Sequence, residues 1–269
     1  MSEMANEILI LSAYVGDRPD YLNKVTENQL RYAQRHDYKY EFVTQIEMKR
    51  FSEDNLAHFS WIKAHLVKEK LAEHSYVFWI DADSIFIDFE SGLQDLIDKN
   101  KNLIFTGDSY DVFNTGHFLV KNSKWSKRFL EEWMSYREIK FPKINSSHQD
   151  KNGYLVDQPA ANILLRRGFN STKQQSCADF DWMNGYIGNK SRKIKLFHWL
   201  VGPTRRLNIL FARLLIHKSI RRNVSIVVQD RLNSYPFRLP GYRPKKNPKI
   251  IHFPGNSKDK ISNYLNLVK

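Results

Sequence analysis

Five consecutive apolar residues, Tyr76-Val77-Phe78-Trp79-Ile80, run without a polar break into Asp81-Ala82-Asp83. A strand with one wet face alternates apolar and polar side chains, so an unbroken run this short describes a strand covered on both faces. Such a strand needs helices above and below it, and the flanking sequence supplies them. Glu7 to Tyr14 reads as a buried first strand. Asp20 to about Arg35 reads as a helix opened by an Asp cap, with Leu22, Val25 and Leu30 inward. Tyr38 to Thr44 follows as a second strand, and from Asn55 to Glu73 the residues Phe59, Ile62, Leu66 and Leu71 recur at helical spacing. The order strand, helix, strand, helix, strand predicts an α/β fold with a mainly parallel sheet.

Beyond the two aspartates, Ser84 to Asp88 reads as a short strand, Ser91 to Lys99 as a helix and Leu103 to Thr106 as a strand. Asn114-Thr115-Gly116 then breaks the pattern before a strand from His117 to Lys121. In the helix that starts at Ser123, Trp125, Phe129 and Trp133 stand four apart, the spacing of a core-facing stripe. Asp157 to Arg166 reads as another helix, and Lys249 to Phe253 as a short strand that delivers His252. No internal repeat interrupts this succession, which is read as one domain over residues 1–269.

The chain carries a formal charge of +13 over 269 residues, a field that attracts anions such as nucleotide phosphates, nucleic acid or lipid headgroups. Basic residues concentrate at about 203–248, where Arg205, Arg206, Arg213, Lys218, Arg221 and Arg222 are interleaved with Leu207, Leu210, Leu214, Leu215 and Ile220. That composition suits a basic amphipathic helix on an anionic membrane or against an acceptor. Cys177 is the only cysteine, which excludes an intrachain disulfide and a thiolate metal cluster and fits a reducing compartment. An acidic start before the short Ile8-Leu9-Ile10-Leu11 run lacks the form of a signal peptide. The expected location is cytoplasmic, peripheral at the inner face of a membrane.

Asp81 and Asp83 offer hard oxygen ligands at a strand end, where a divalent cation can be held against a phosphate. Far along the chain, His252-Phe253-Pro254-Gly255-Asn256-Ser257-Lys258 contains three complementary groups. The imidazole can complete a coordination sphere, the glycine lets backbone approach a phosphate, and the lysine brings a point charge to it. A mixed oxygen and nitrogen set favours Mn2+, with Mg2+ as the alternative.

Taken in order, His58-Phe59-Ser60-Trp61-Ile62-Lys63, Phe78-Trp79-Ile80-Asp81-Ala82-Asp83, Asn114-Thr115-Gly116, Trp125-Ser126, Asp157-Gln158 and His252-Phe253-Pro254-Gly255 resemble the motifs of GT-A fold glycosyltransferases. They are most similar to the galactosyl and xylosyl transferases of glycosyltransferase family 34. His252, Gly255 and Lys258 also resemble the glycogenin-like family 8. The resemblance covers roughly residues 7–170 and 249–258, and leaves Pro203 to Pro248 without a counterpart.

This resemblance implies a Rossmann-like GT-A sheet and a retaining hexosyltransferase using a UDP-sugar, galactose-type by preference, on a glycan or lipid-linked saccharide. It places Asp81, Asp83 and His252 on the metal, with Asp81 also on the donor and Lys258 on its diphosphate. Asp157 and Gln158 match positions beneath the donor sugar and are the implied catalytic residues. Asn114 and Gly116 match the loop approaching that sugar, while Lys63, in Trp-x-Lys, matches a donor-phosphate contact. Tyr14 and Arg18, just after the first strand, hold the place where such folds bind the nucleoside.

Two other classes compete. A nucleic-acid-binding protein would exploit the net charge, but no helix-turn-helix, zinc site or paired aromatic RNA-binding motif is present, and no nucleic-acid partner is expected. A metal-dependent phosphohydrolase also uses aspartates at strand ends, with more carboxylates clustered nearby; here the nearby acids are Asp88 and Glu90.

Overall fold

The apolar run at 76–80 lies at the centre of the protein. A computed structural model describes residues 7–44, 59–107, 113–140, 150, 152–170, 213–236 and 248–265. In it the run is a strand, β3 (Tyr76–Ile80), buried at every position. It belongs to a six-stranded sheet of order β2-β1-β3-β6-β5-β7. The other strands are β1 (Ile8–Ala13), β2 (Lys39–Val43), β5 (Leu103–Thr106), β6 (His117–Lys121) and β7 (Val224–Val227). Only β6 runs against its neighbours, so the sheet is mixed and mainly parallel, as the strand and helix alternation predicts.

Because strand side chains alternate, each strand feeds two cores. Leu9, Leu11, Val77, Trp79, Phe105 and Phe118 face one side. There they meet α2 (Ile62–Lys70), α3 (Lys124–Ser135) and α4 (Asp157–Arg167). Ile8, Ile10, Tyr76, Phe78, Ile80 and Leu119 face the other, against Tyr32 and Ala33 of α1 (Tyr21–Arg35). Each fully buried large apolar side chain contributes about 1.5–3 kcal/mol, so the paired cores fix the register of β3 and hence the place where it ends. The Trp125, Phe129, Trp133 stripe packs into the first core as its spacing predicts.

After Asp83 the chain turns at once into β4 (Ser84–Phe86), which pairs antiparallel with β8 (Ile250–His252) and sets Ser84 opposite His252. Two buried amides of α1 clamp β4. Asn28 exchanges hydrogen bonds of 3.0 and 2.8 Å with the Phe86 backbone, and Gln29 Nε2 donates to Ser84 O at 2.9 Å. Phe253 N–H donates to Asp83 O at 3.0 Å. Ile261 of α7 (Ile261–Leu265) closes a small third core with Val25, Ile85, Ile251 and Phe253.

Several expectations need correction. Leu30 is 40 % exposed, because the inward arc of α1 runs through Leu22, Val25, Gln29 and Tyr32 and leaves Leu30 turned away. Asp20 makes no side-chain capping bond. Of the helix expected over 55–73, residues 55–58 lie outside the described residues; the helix begins at Ile62, after a 3-10 turn at Phe59–Trp61, and Phe59 is 65 % exposed. Ser91 to Lys99 holds only a 3-10 turn, Leu93–Leu96. Asp88 takes the amides of Glu90 and Ser91, and Gly92 is extended, so no longer helix is nucleated.

The basic segment does not form one amphipathic helix over its described part. After a helical turn at 213–215 the chain is extended at His217, whose N–H donates to Leu165 O at 2.8 Å, and it resumes as α5 (Lys218–Arg221). Ile216 and Ile220 join the first core, followed by β7 and then α6 (Gln229–Leu232). Residues 203–212, 237–247, His58 and Cys177 lie outside the described residues.

Candidate active site

Asp81 leaves the sheet on the face that carries Trp79, which points it at α2. Trp79 Nε1 donates to Asp81 Oδ1 at 2.7 Å, and Asp81 N–H donates to Gly116 O at 2.9 Å, continuing the β3–β6 ladder by one bond. Lys63 Nζ reaches the same Oδ1 at 3.2 Å and Asp157 Oδ2 at 3.1 Å, and donates to Thr115 O at 3.2 Å. Lys63 is 7 % exposed. Nonlocal carboxylates from the end of β3 and the start of α4 draw the ammonium inward.

Asp83 lies on the opposite side of the turn. His252 Nε2 stands 3.2 Å from Asp83 Oδ1 and 4.0 Å from Asp81 Oδ2, and Lys258 Nζ is 3.3 Å from Asp83 Oδ2. The β4–β8 pairing accounts for this meeting, since it holds residue 252 beside residue 84. Gly255 has φ +60°, a conformation that favours glycine and turns the chain so that Lys258 comes back over Asp83.

Asp157 is the first residue of α4, whose cap position is Val156. Its Oδ2 accepts from Thr115 Oγ1 at 2.6 Å besides pairing with Lys63, so it serves the site more than its own helix. Gln158 Oε1 accepts from Thr115 N at 3.2 Å. Asn114 Oδ1 accepts from Gly116 N at 2.9 Å, which closes a tight turn and makes Asn114-Thr115-Gly116 the floor between Asp81 and Asp157.

The structure thus brings Lys63, Asp81, Asp83, Asn114, Gly116, Asp157, Gln158, His252 and Lys258 into one neighbourhood. Tyr14 is partly buried near Lys258, whereas Arg18 is exposed and nothing among the described residues ties it to the cluster. Four contributors escaped sequence reasoning: Trp79, Thr115, Tyr21, which lies close to Lys258 and Asp83, and Asn233, which bonds to His252. Trp79 and Thr115 adjoin residues that were singled out, and their i, i+2 and in-turn positions are the signal that could have found them.

The electrostatics follow from this crowding. Burial drives the Asp81 carboxyl upward, and Asp83 adds to it, against the pull of Lys63. Burial acts on Asp83 in the same sense, but His252 and Lys258 overcome it and hold that carboxyl at about 2. Burial lowers His252, and the two aspartates more than reverse it. Lys63 is raised against its own burial, by Asp157 first and Asp81 second. One ammonium, that of Lys63, thus serves two carboxylates, Asp81 and Asp157, while Asp83 stands beside them.

That imbalance suits a divalent cation. One oxygen from each aspartate and one imidazole nitrogen lie within 4.8 Å of one another, the only such group of three or more among the described residues. A Cβ at Gly116 would meet Asn114 Oδ1 at 3.0 Å, Asp81 Oδ2 at 3.1 Å and His252 Cε1 at 3.1 Å, so this glycine keeps the space beside the ligands open. Two carboxylates with one imidazole form a donor set that accepts Mn2+.

A mainly parallel sheet clothed on both faces, with Asp-Ala-Asp ending a central strand and a histidine brought up from the C-terminal strand, is the α/β arrangement that the resemblance to GT-A folds implies. The chain belongs to the family described as "Protein of unknown function, DUF273", which matches residues 30–176, more than half its length. Its curated relatives are glycosyltransferases. It is 31 % identical over 130 residues to "Probable glycosyltransferase 2" of Oryza sativa subsp. indica, a match covering 42 % of this chain and 25 % of the relative. It is 29 % identical over 171 residues to "Xyloglucan 6-xylosyltransferase 1" of Arabidopsis thaliana, covering 56 % of this chain and 35 % of the relative. The matched region therefore spans a third or less of the length of most of these plant proteins. Among solved structures, a glycosyltransferase involved in glycosylating the major capsid of PBCV-1 aligns over 97 % of this chain and 99 % of its own, at 14 % identity and TM-score 0.49.

Proposed function

We propose that this protein is a metal-dependent glycosyltransferase that moves a hexose, galactose by preference, from a UDP-sugar to a glycan or lipid-linked saccharide, with retention of configuration. The observation that carries the reading is the convergence of Asp81, Asp83 and His252, with Lys258 at 3.3 Å from Asp83. Mn2+ is the preferred cation and Mg2+ the alternative. Bound there, a divalent cation supplies Lewis-acid stabilisation of the leaving nucleoside diphosphate. Lys258, about 40 % exposed at its side chain, presents a positive charge to the same phosphates from the solvent side.

On the other side, Lys63 keeps Asp157 ionised and in place beneath the sugar position, and Asn114, Gly116 and Gln158 shape that floor. Tyr14 and Arg18 are assigned to the nucleoside. The stereochemical assignment rests on the resemblance to families 34 and 8. The phosphohydrolase alternative is weakened by Asp88 and Glu90: Asp88 bonds its own turn, while Glu90 pairs with Arg35 at 2.6 Å, so neither joins the cluster.

Calorimetry with UDP- and GDP-sugars, with and without Mn2+, tests the reading. A UDP-sugar is expected to bind in the micromolar range with Mn2+ and to lose most of that affinity in chelator. Binding indifferent to metal, or confined to nucleic acid with steep salt dependence, would reject it.

The same proposal puts the protein in the cytoplasm, peripheral at the inner face of a membrane. Leu214 is 61 % and Leu215 41 % exposed, and Arg213, Lys218 and Arg222 are exposed around them. No helix among the described residues is long and apolar enough to cross a membrane. Sedimentation with anionic vesicles is expected to carry the protein down and neutral vesicles to leave it behind; equal recovery from both refutes the surface assignment.

A further inference from the structure

Residues 233–235, within the stretch for which the motif resemblance offers no counterpart, reach the cation site from behind. After α6 the backbone of residues 233–235 runs beside β8: Ser234 N–H donates to Ile250 O at 3.1 Å, and His252 N–H donates to Ser234 O at 2.8 Å. This pairing lays the side chain of Asn233, fully buried, against the imidazole of His252. Asn233 Oδ1 stands 2.8 Å from His252 Nδ1, and Asn233 Nδ2 donates to Tyr235 OH at 3.2 Å. The amide spans the ring and the Tyr235 hydroxyl, with its oxygen toward the ring.

An amide oxygen only accepts, so with a cation on Nε2 the proton of His252 would sit on Nδ1, where Asn233 Oδ1 takes it. Nε2 is the atom that faces Asp83 and Asp81. The ring is held in that orientation by neighbours on its faces as well. His117 meets it edge-on at 5.0 Å between centroids with an interplanar angle of 85°, and Tyr235 lies at 6.0 Å. Tyr235 extends the chain of polar groups further, since its hydroxyl is 3.5 Å from Asn114 Nδ2 on the floor of the site.

We infer that Asn233 is a positioning residue for the cation site: it fixes the tautomer and the rotation of His252, and so sets the affinity for a divalent cation. The inference rests on the proposed reading of Asp81, Asp83 and His252 as ligands. Outer-sphere partners of metal-bound histidines typically change metal affinity by about 10–100-fold when lost, and the same range is expected here.

The test uses Mn2+ alone, without sugar donor, titrated by electron paramagnetic resonance into the full chain and its variants. Asn233→Ala is expected to weaken binding by about 10–100-fold with an unchanged circular dichroism spectrum. Asn233→Asp, which retains an acceptor oxygen, is expected to hold the wild-type affinity. His252→Ala is the reference. If it leaves Mn2+ binding intact, the reading of the site fails; if it weakens binding while Asn233→Ala does not, only the role of Asn233 fails. A folded Asn233→Asp that binds as poorly as the alanine variant likewise overturns that role.

A second readout does not depend on variant folding. With a diamagnetic divalent cation such as Cd2+ bound to the wild-type chain, nitrogen-15 spectra of the histidines are expected to show His252 with its proton on Nδ1 and the cation on Nε2. A cation on Nδ1, or a proton on Nε2, overturns the inference outright.

Discussion

Exchange of Asp83 for alanine is expected to leave a folded protein that scarcely binds Mn2+ and no longer turns over a sugar donor. The fold persists because Asp83 contributes to it through its backbone: its carbonyl accepts from Phe253 N–H at 3.0 Å, a bond alanine keeps. The side chain sits at a turn and is 15 % exposed, so its loss opens no deep cavity. It also removes a like charge from beside Asp81, whose carboxyl Asp83 pushes upward, and that relief offsets part of what His252 and Lys258 lose.

The cation site does not recover in the same way, since one of its two oxygen ligands is gone. Loss of a direct ligand should cost more affinity than the roughly 10–100-fold typical of an outer-sphere partner. Lewis-acid stabilisation of a phosphoryl leaving group is worth several kcal/mol, and each ~1.4 kcal/mol is tenfold in rate, so turnover should fall by at least about a thousandfold. Mn2+ titration, thermal melting and donor turnover on one preparation check this. A well-folded variant with wild-type metal-dependent turnover would sink the proposed function.

Lys63→Met should act mainly on stability. Methionine fills similar volume, but it abandons Asp81 and Asp157, which the ammonium contacts at 3.2 and 3.1 Å in a buried setting. Removing one partner of a buried ion pair typically costs about 3–5 kcal/mol, because the remaining charge is uncompensated. The pH dependence has a definite sign. In the native protein the Asp157 carboxyl is depressed, so its contribution is present above the ordinary carboxylate pKa and is lost as pH falls through the depressed value. Without Lys63, burial is opposed only by hydroxyl hydrogen bonds, and protonation of Asp157 becomes favourable. The deficit in urea melts should therefore be large at pH 7 and shrink toward about pH 4. A variant matching the wild-type midpoint at pH 7 would mean that Lys63 is not electrostatically committed to these carboxylates.

What the sequence reveals of this site is what short-range pattern can carry. The end of β3 is legible because five apolar residues stop at two acids, and α4 because Asp-Gln-Pro opens a helix. His252 is legible through its spacing to Gly255 and Lys258. The burial of Lys63 is not, since it depends on Asp81 and Asp157 arriving from other elements. Asn233 carries no local signal either: its role exists only once residues 233–235 lie beside β8. The misjudged helices have a common cause. Leu93, Leu96 and Ile97 have helical spacing, as do Ile216 and Ile220. Turn bonds from Asp88 in one place and the tether of His217 to Leu165 in the other outweigh that spacing.

The two-stranded β4–β8 sheet has a consequence for how such a chain can diverge. It sutures Asp81 and Asp83 to a histidine far away in sequence, and it does so without using the length of chain between them. Lengthening a flexible connection costs little, roughly 0.6 kcal/mol per doubling, so connections between residues 87 and 249 can change length while the ligand triangle keeps its shape, provided that Asn114, Gly116, Asp157 and Asn233 keep their places. Under the proposed function this separates donor binding, held by a strand pair, from acceptor choice, left to those connections.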